Sequence, residues 1–321
     1  MSPADPVSRG HVFDIPMRVR FRGQARRRGL LLEGPAGWGE FSPFPEYPPA
    51  VAARWLAAAI EASQDGWPAP VRDSIAVNTT IPAVDPEQAH SLAARSGCTT
   101  AKVKVAEPGQ SLADDIARVE AVRDALGPAG AVRIDANAAW DVDTAAHALA
   151  ELSRFDLEYA EQPVPTLEDM AALRRRVDVR LAADESVRTA EDPLRVAGLD
   201  AADIVVLKVQ PLGGVRSCLR VAEACGLPVV VSSAIETSVG IAAGVALAAA
   251  LPQLRFACGL GTVTLLDGDV CDDPLVPVAG FLDVRTIAPS PQLLATNAAD
   301  SETTRWWHER LAAAQEILDA G

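Results

Sequence analysis

Short apolar runs recur along the middle of the chain, and each ends in polar or charged side chains. In order they are Ala101-Lys102-Val103-Lys104-Val105, Val132-Arg133-Ile134-Asp135-Ala136-Asn137 and Leu157-Glu158-Tyr159-Ala160-Glu161-Gln162-Pro163. Leu181-Ala182-Ala183-Asp184-Glu185-Ser186, Ile204-Val205-Val206-Leu207-Lys208-Val209 and Val229-Val230-Val231-Ser232-Ser233 follow. The polar residues Lys104, Asp135, Glu161, Asp184, Lys208 and Ser232 are separated by 31, 26, 23, 24 and 24 positions. One such interval accommodates a strand, a helix and two short connections. Between the runs, helices are predicted at Leu112–Leu126, Thr144–Phe155, Leu167–Arg176, Pro193–Leu199, Val215–Cys225 and Ser238–Ala250. A βα repeat whose strands end in charge has the layout of a (β/α) barrel, which draws its catalytic residues from the C-terminal ends of several strands.

The rhythm starts with a strand over Ser74–Ile81 and a helix over Pro86–Gly97, and ends with a short strand, Phe256-Ala257-Cys258, running into Gly259-Leu260-Gly261-Thr262. Both chain ends follow other patterns. Ile15–Phe21, Arg27–Glu33 and Trp38–Phe41 read as an antiparallel meander, followed by a proline-rich loop carrying Phe44 and Tyr47 and a helix over Val51–Gln64. This unit is too small to bury itself. An amphipathic helix over Glu302–Leu318 carries Trp306 and Trp307, which are expected to dock the tail on the meander. The predicted organisation is a cap over 1–72, a barrel over 73–280 and a returning segment over 281–321. Residues 1 to about 10 read as disordered.

Composition narrows the functional classes. A net charge of −14 argues against nucleic acid and anionic membranes as partners. The basic run Arg18–Arg28 reads as a solvated face or an anion-facing loop. The five cysteines, Cys98, Cys218, Cys225, Cys258 and Cys271, are odd in number and lack C-x-x-C pairing, so a reducing compartment is expected. Met1–His11 lacks a signal-peptide pattern, and no apolar stretch is long enough to span a bilayer. The expectation is a soluble cytoplasmic protein acting on a small-molecule carboxylate, with the oligomeric state left open.

Taken singly, an Asp after an apolar strand is an ordinary helix cap, and a K-x-K pair is an ordinary exposed face. Together, three carboxylates at one barrel mouth repel each other unless a cation sits among them. Oxygen ligands without an adjacent histidine favour a hard ion, Mg²⁺ before Ca²⁺ or Mn²⁺. A lysine beside such an ion and a second ammonium has its charged form disfavoured and becomes a usable base. Base catalysis supplies about 10²–10⁴ in rate, less than enzymes achieve, so the ion must also hold developing negative charge. The reaction class implied is abstraction of a proton alpha to a carboxylate, through an enediolate.

The set K-x-K (Lys102, Lys104), D-A-N (Asp135, Asn137), E-Q-P (Glu161 to Pro163), D-E-S (Asp184 to Ser186) and Lys208 resembles the enolase superfamily, muconate-lactonizing type. Use of a lysine or histidine base with Mg²⁺ is an established property of that superfamily. The resemblance implies an α/β fold, a (β/α)7β TIM-type barrel with an α+β capping domain built from the N-terminal region and the C-terminal tail. Within the superfamily the chain is most similar to the o-succinylbenzoate synthases, through Gly37-Trp38-Gly39-Glu40-Phe41-Ser42-Pro43-Phe44, Ser232-Ser233-Ala234-Ile235-Glu236-Thr237-Ser238 and Gly259-Leu260-Gly261-Thr262. That resemblance implies dehydration of 2-succinyl-6-hydroxy-2,4-cyclohexadiene-1-carboxylate for menaquinone biosynthesis. Asp135, Glu161 and Asp184 would bind Mg²⁺, Lys104 would be the base, Lys208 the cation opposite, and Lys102 would tune Lys104. Asn137 would support the metal shell or the substrate carboxylate. Ser232, Ser233 and Gly259, Leu260 and Gly261 would face the succinyl tail, with Phe41, Phe44 and Tyr47 shielding the ring. Ser232 and Ser233 also read as caps of the next helix, Gly259 and Gly261 as turn glycines, and Phe44 as cap-domain core.

An N-acylamino acid racemase shares this constellation and is the closest rival, alone or as a second activity. A dipeptide epimerase is disfavoured, because Cys258-Gly259-Leu260-Gly261 stands where a D-x-D is expected. A catalytically dead barrel is disfavoured by the intact acid and lysine set.

Overall fold

The computed structural model describes residues 10–188 and 194–320. The segment read as disordered lies outside these residues apart from its last position, as does Pro193. Strands β1 (His11–Phe21), β2 (Gln24–Gly34) and β3 (Gly37–Phe41) form the antiparallel meander, and helix α1 (Pro49–Ile60) packs on it before ending in a π-helical turn at Glu61–Asp65. Close approach explains Gly39 in β3, since a Cβ there would lie 2.0 Å from the carbonyl oxygen of Ala59.

The predicted first barrel strand is broken in two: β4 (Ser74–Ala76) and β5 (Thr79–Ile81). After it come α2 (Pro86–Arg95), β6 (Thr100–Lys104), α3 (Leu112–Leu126), β7 (Ala131–Asp135), α4 (Val142–Leu152), β8 (Leu157–Glu161), α5 (Leu167–Arg174) and β9 (Leu181–Ala183). Two short helices, α6 (Glu185–Arg188) and α7 (Arg195–Gly198), precede β10 (Ile204–Leu207), α8 (Val215–Cys225), β11 (Val229–Val231) and α9 (Ser238–Ala250). The seven strands β5 to β11 form one parallel sheet in sequence order. Its ends are joined by a short segment at Cys258 and Gly259, bridged in parallel to Val77 on one side and Ser232 on the other. Backbone bonds Gly259 N to Val231 O (2.8 Å) and Asn78 N to Cys258 O (2.9 Å) close the ring. The break between β4 and β5 follows from the returning chain, because β12 (Phe281–Asp283) pairs antiparallel with β4.

The strands are nearly continuous runs of buried Val, Ile, Leu and Ala, as a parallel sheet covered by helices requires. Helix starts are capped from the loops: Asp85 for α2, Ser111 with Asp114 for α3, Asp141 for α4, Thr166 for α5 and Thr237 for α9. Asp135 and Glu161 therefore do not cap the helices that follow their strands, and Ser232 and Ser233 do not cap α9. After α10 (Pro291–Thr296), the final helix α11 (Ser301–Ala320) lies against α1. Only one of the paired tryptophans docks inward: Trp307 is buried edge-on against Phe41, whereas Trp306 stays half-exposed beneath Arg310. Arg310 donates to the carbonyl oxygens of Phe44 and Tyr47, tying this helix to the proline-rich loop.

Candidate active site

The C-terminal ends of five neighbouring strands, β6 to β10, deliver the predicted side chains to one place. Asp135 ends β7, Glu161 ends β8 beside it in register, and Asp184 follows β9. Lys102 and Lys104 come from β6 and Lys208 from the end of β10, so lysines flank the acids on both sides in strand order. All three acids are buried. They are held by ammonium groups: Lys104 Nζ lies 2.6 Å from Asp135, Lys102 Nζ lies 2.8 Å from Glu161 and 3.2 Å from Asp135, and Lys208 Nζ lies 2.5 Å from Asp184.

Burial pushes each charged form toward neutrality, and the neighbouring charges decide the outcome group by group. At Asp135 burial is outweighed by Lys104 and Lys102, which hold its carboxyl below the ordinary carboxylate range. At Glu161 burial, reinforced by Asp135 and Asp184, wins over Lys102 and raises the pKa to about 7. Burial acts against the charge on Lys102, but Glu161 and Asp135 more than restore it, so Lys102 is held as a cation. Lys102 thus sits as a fixed positive charge on the same strand face as Lys104, two residues away.

Several motif neighbours turn out to orient these groups. Asn137, in a left-handed conformation, accepts from Lys104 Nζ (2.5 Å) and donates to Glu185 (3.3 Å). Gln162, also left-handed, accepts through Oε1 from the backbone N–H groups of Asp184 (2.9 Å) and Ser186 (3.1 Å), and donates to Ser186 Oγ (2.6 Å). Gln162 therefore fixes the loop carrying Asp184. Strained backbone held by such bonds is characteristic of functional sites.

The cavity above the acids is lined by Lys102, Lys104, Asp135, Asn137, Lys208, Ser232, Ser233, Gly259, Thr262 and, from the cap, Phe21, Arg22 and Phe44. Ser233 donates to the Gly259 carbonyl (2.7 Å). A Cβ on Gly259 would lie 2.6 Å from Ser232 Oγ, so any larger residue there would push the Ser232 hydroxyl aside. Leu260 and Gly261 are outside this lining. Leu260 is buried and points back at Gly244 in α9, and the open side of Gly261 faces Asn78 and Pro277. Phe44 serves both roles considered for it, lining the cavity while packing edge-on against Trp55 and Tyr47 in the cap core. Phe41 is wholly buried against Trp307 and Tyr47 is not in the lining, so neither shields the cavity.

One buried network had no assigned role. Arg27 of β2 is the buried exception in the basic run, where strand alternation turns Arg26 and Arg28 outward. Its guanidinium donates to Ile235 O (2.8 Å), Ser42 O (2.5 Å) and Ser42 Oγ (2.7 Å). Ser42 Oγ donates to Glu40 (2.6 Å), whose other oxygen accepts from Thr237 N (3.0 Å), Thr237 Oγ1 (2.5 Å) and Gly240 N (3.1 Å). The network ties the cap to the loop after β11, which carries Ser232 and Ser233.

Both halves of the chain match known families: residues 12–63 match the enolase N-terminal domain-like model, and residues 85–289 the enolase C-terminal domain-like model. The o-succinylbenzoate synthase of Thermobifida fusca (strain YX) is 65% identical over 306 residues, covering 95% of this chain and 96% of that protein. The chain belongs to the o-succinylbenzoate synthase family of the enolase superfamily. The family member from Mycolicibacterium smegmatis (strain ATCC 700084 / mc(2)155) is 53% identical, covering 98% of this chain and 97% of its own. In fold the chain is similar to the muconate lactonizing enzyme of Pseudomonas fluorescens, solved with muconolactone, at a TM-score of 0.80 and 22% identity over 90% of this chain and 98% of the other. As in other members of the o-succinylbenzoate synthase family, then, this is an enzyme, and its capped α/β barrel is the superfamily's. Among the described residues no helix is long and apolar enough to cross a membrane.

Proposed function

We propose that this chain is a carbon–oxygen lyase that removes water from 2-succinyl-6-hydroxy-2,4-cyclohexadiene-1-carboxylate, giving o-succinylbenzoate for menaquinone biosynthesis in the cytoplasm. The observation that carries this reading is the gathering of Lys104, Asp135, Glu161, Asp184 and Lys208 from five consecutive strands into one cluster of buried ion pairs, of which Lys104, Asp135 and Lys208 line the cavity.

Among the described residues the acids do not form a ready cation cage, since each leans on a lysine instead. The donor set nevertheless fits a hard divalent ion such as Mg²⁺. It is all carboxylate oxygen, it is buried, and Glu161 Oε2 is buried without a hydrogen-bond partner. Asp135, Glu161 and Asp184 would hold the ion. When bound it supplies positive charge to the substrate carboxylate as the neighbouring proton leaves.

The remaining chemistry belongs to the side chains. Lys104, placed by Asn137, takes the alpha proton through Nζ. The ring C–O bond then breaks, and the departing hydroxyl receives that proton and leaves as water while the ring becomes aromatic. Lys102, held charged by Glu161 and Asp135, lies beside Lys104 on the same strand face. Lys208, ion-paired with Asp184, faces the substrate from the other flank. Ser232, Ser233 and Gly259 form the wall for the succinyl chain, and Phe44 keeps water from the ring. A purified enzyme given the cyclohexadiene substrate should produce absorbance from the aromatic product, lose that activity in EDTA and regain it with Mg²⁺. Full activity in chelator would refute the metal-dependent reading.

A second activity, racemisation of N-acylamino acids, is favoured by the lysines lying on both sides of the acids. Incubation with an N-succinyl amino acid in D₂O should then place deuterium at the alpha carbon. No exchange over many dehydration turnovers would remove it.

A further inference from the structure

The cavity holds a cation that the proposed chemistry leaves unused. Lys102, Lys104 and Lys208 are each ion-paired with the acids and already have a part in that chemistry. Glu185, also in the lining, takes a hydrogen bond from Asn137. Arg22 is different: it lines the cavity from the cap side and makes no ion pair with any described carboxylate. Its guanidinium lies 4.2 Å from the centre of the Phe44 ring and donates one hydrogen bond, to the Tyr47 hydroxyl (2.9 Å). Stacking on the ring face leaves the other N–H donors around the guanidinium edge available for a planar anion.

The backbone at Arg22 strengthens the case. Arg22 and Gly23 form the two-residue turn between β1 and β2, with φ of 49° and 72°. A turn with two positive φ values favours Asn, Asp or Gly at its first position, and a long cationic side chain has no local advantage there. Nothing in the turn itself accounts for arginine. Its side chain instead reaches over the proline-rich loop to the cavity, and Arg310 clamps that loop at Phe44 and Tyr47.

We propose that Arg22 binds the distal carboxylate of a dicarboxylate substrate, the one at the end of its flexible chain, and so selects for two carboxylates. This rests on the functional reading above, in which one carboxylate lies at the acid and lysine cluster. The two groups are then met from opposite sides, the barrel strands holding one and the β1–β2 turn the other. A charge-assisted pair of this kind is worth on the order of 10- to 100-fold in affinity.

The test compares binding of o-succinylbenzoate with binding of its amide at the distal carboxyl, by calorimetry in the presence of Mg²⁺. Wild type should prefer the dicarboxylate by on the order of 10- to 100-fold. Arg22→Asn suits the turn and should keep or raise the melting temperature while binding both compounds equally. Arg22→Lys should retain part of the preference. In turnover, Arg22→Asn should raise KM with kcat largely kept. If Arg22→Asn still prefers the dicarboxylate by the wild-type factor, the assignment of Arg22 is overturned and the functional reading stands. Wild type that binds neither compound overturns both.

Discussion

Replacing Arg27 by Met tests the claim that a buried charge network locks the cap onto the barrel. Met preserves much of the apolar bulk against Phe44, whose ring centre is 4.9 Å from the guanidinium, and removes the charge and the hydrogen bonds to Ile235 and Ser42. Arg27 touches neither of the buried carboxylates Glu40 and Glu236 directly, but its charge offsets theirs. Removing a buried charge that compensates others typically costs about 3–5 kcal/mol. For a chain of this size that corresponds to a fall in melting temperature of roughly 4–7 °C. The cost should depend on pH. Burial raises the Glu40 pKa to about 7, with Arg27 opposing, and burial likewise raises that of Glu236, again opposed by Arg27. A raised carboxylate pKa means the folded state binds the proton more tightly than the unfolded chain does. Its stabilising contribution is therefore full below the ordinary value of 4.5 and is lost as pH rises to about 7. Without Arg27 both carboxyls shift further up, so the variant's deficit should be larger at pH 8, where the acids must ionise uncompensated, than at pH 5.5. Chemical denaturation of both proteins at the two pH values measures this. An equal deficit at both would refute the electrostatic account, and no deficit at either would refute the interlock itself.

Gly39→Ala should lose about 1–3 kcal/mol, since its Cβ would have to displace the α1 backbone at Ala59; a melting curve like that of wild type would show that α1 yields freely. Lys208→Arg should retain part of the dehydration, which asks only for a cation there, and abolish alpha-proton exchange into N-acylamino acids, which needs a proton carrier. Loss of both activities together would mean that Lys208 serves dehydration through more than its charge.

The acid and lysine positions were legible because they depend on a local regularity. A βα unit has a nearly constant length, and the end of each strand is marked by the switch from apolar to charged residues. What could not be read depended on contacts between distant parts of the chain. The Ser74–Ile81 segment breaks because β12 returns some 200 residues later to pair with its first half. Arg27 looked like one more member of an exposed basic run, and only the pairing of β2 with its neighbours turns it inward. Glu40 and Glu236 carry no local signal of a role, since nothing near them in sequence shows that they share the field of one arginine. Gln162 was similarly silent, because its partners lie on the next βα unit. Leu260 was misplaced for a simpler reason: one residue along an extended segment reverses the side chain, and the register of this short piece is set by Val77 and Ser232.

The central claim is that Lys104 moves the proton in a cavity beside a cluster of three buried acids and the ammonium groups that flank them. The measurement that bears on it most directly is a comparison of wild type with Lys104→Ala in Mg²⁺, following aromatic product by absorbance and o-succinylbenzoate binding by calorimetry. Wild type should form product, and the variant should form none above background while still binding o-succinylbenzoate. Turnover by the variant at a rate near that of wild type, or no aromatic product from wild type at all, would contradict the account.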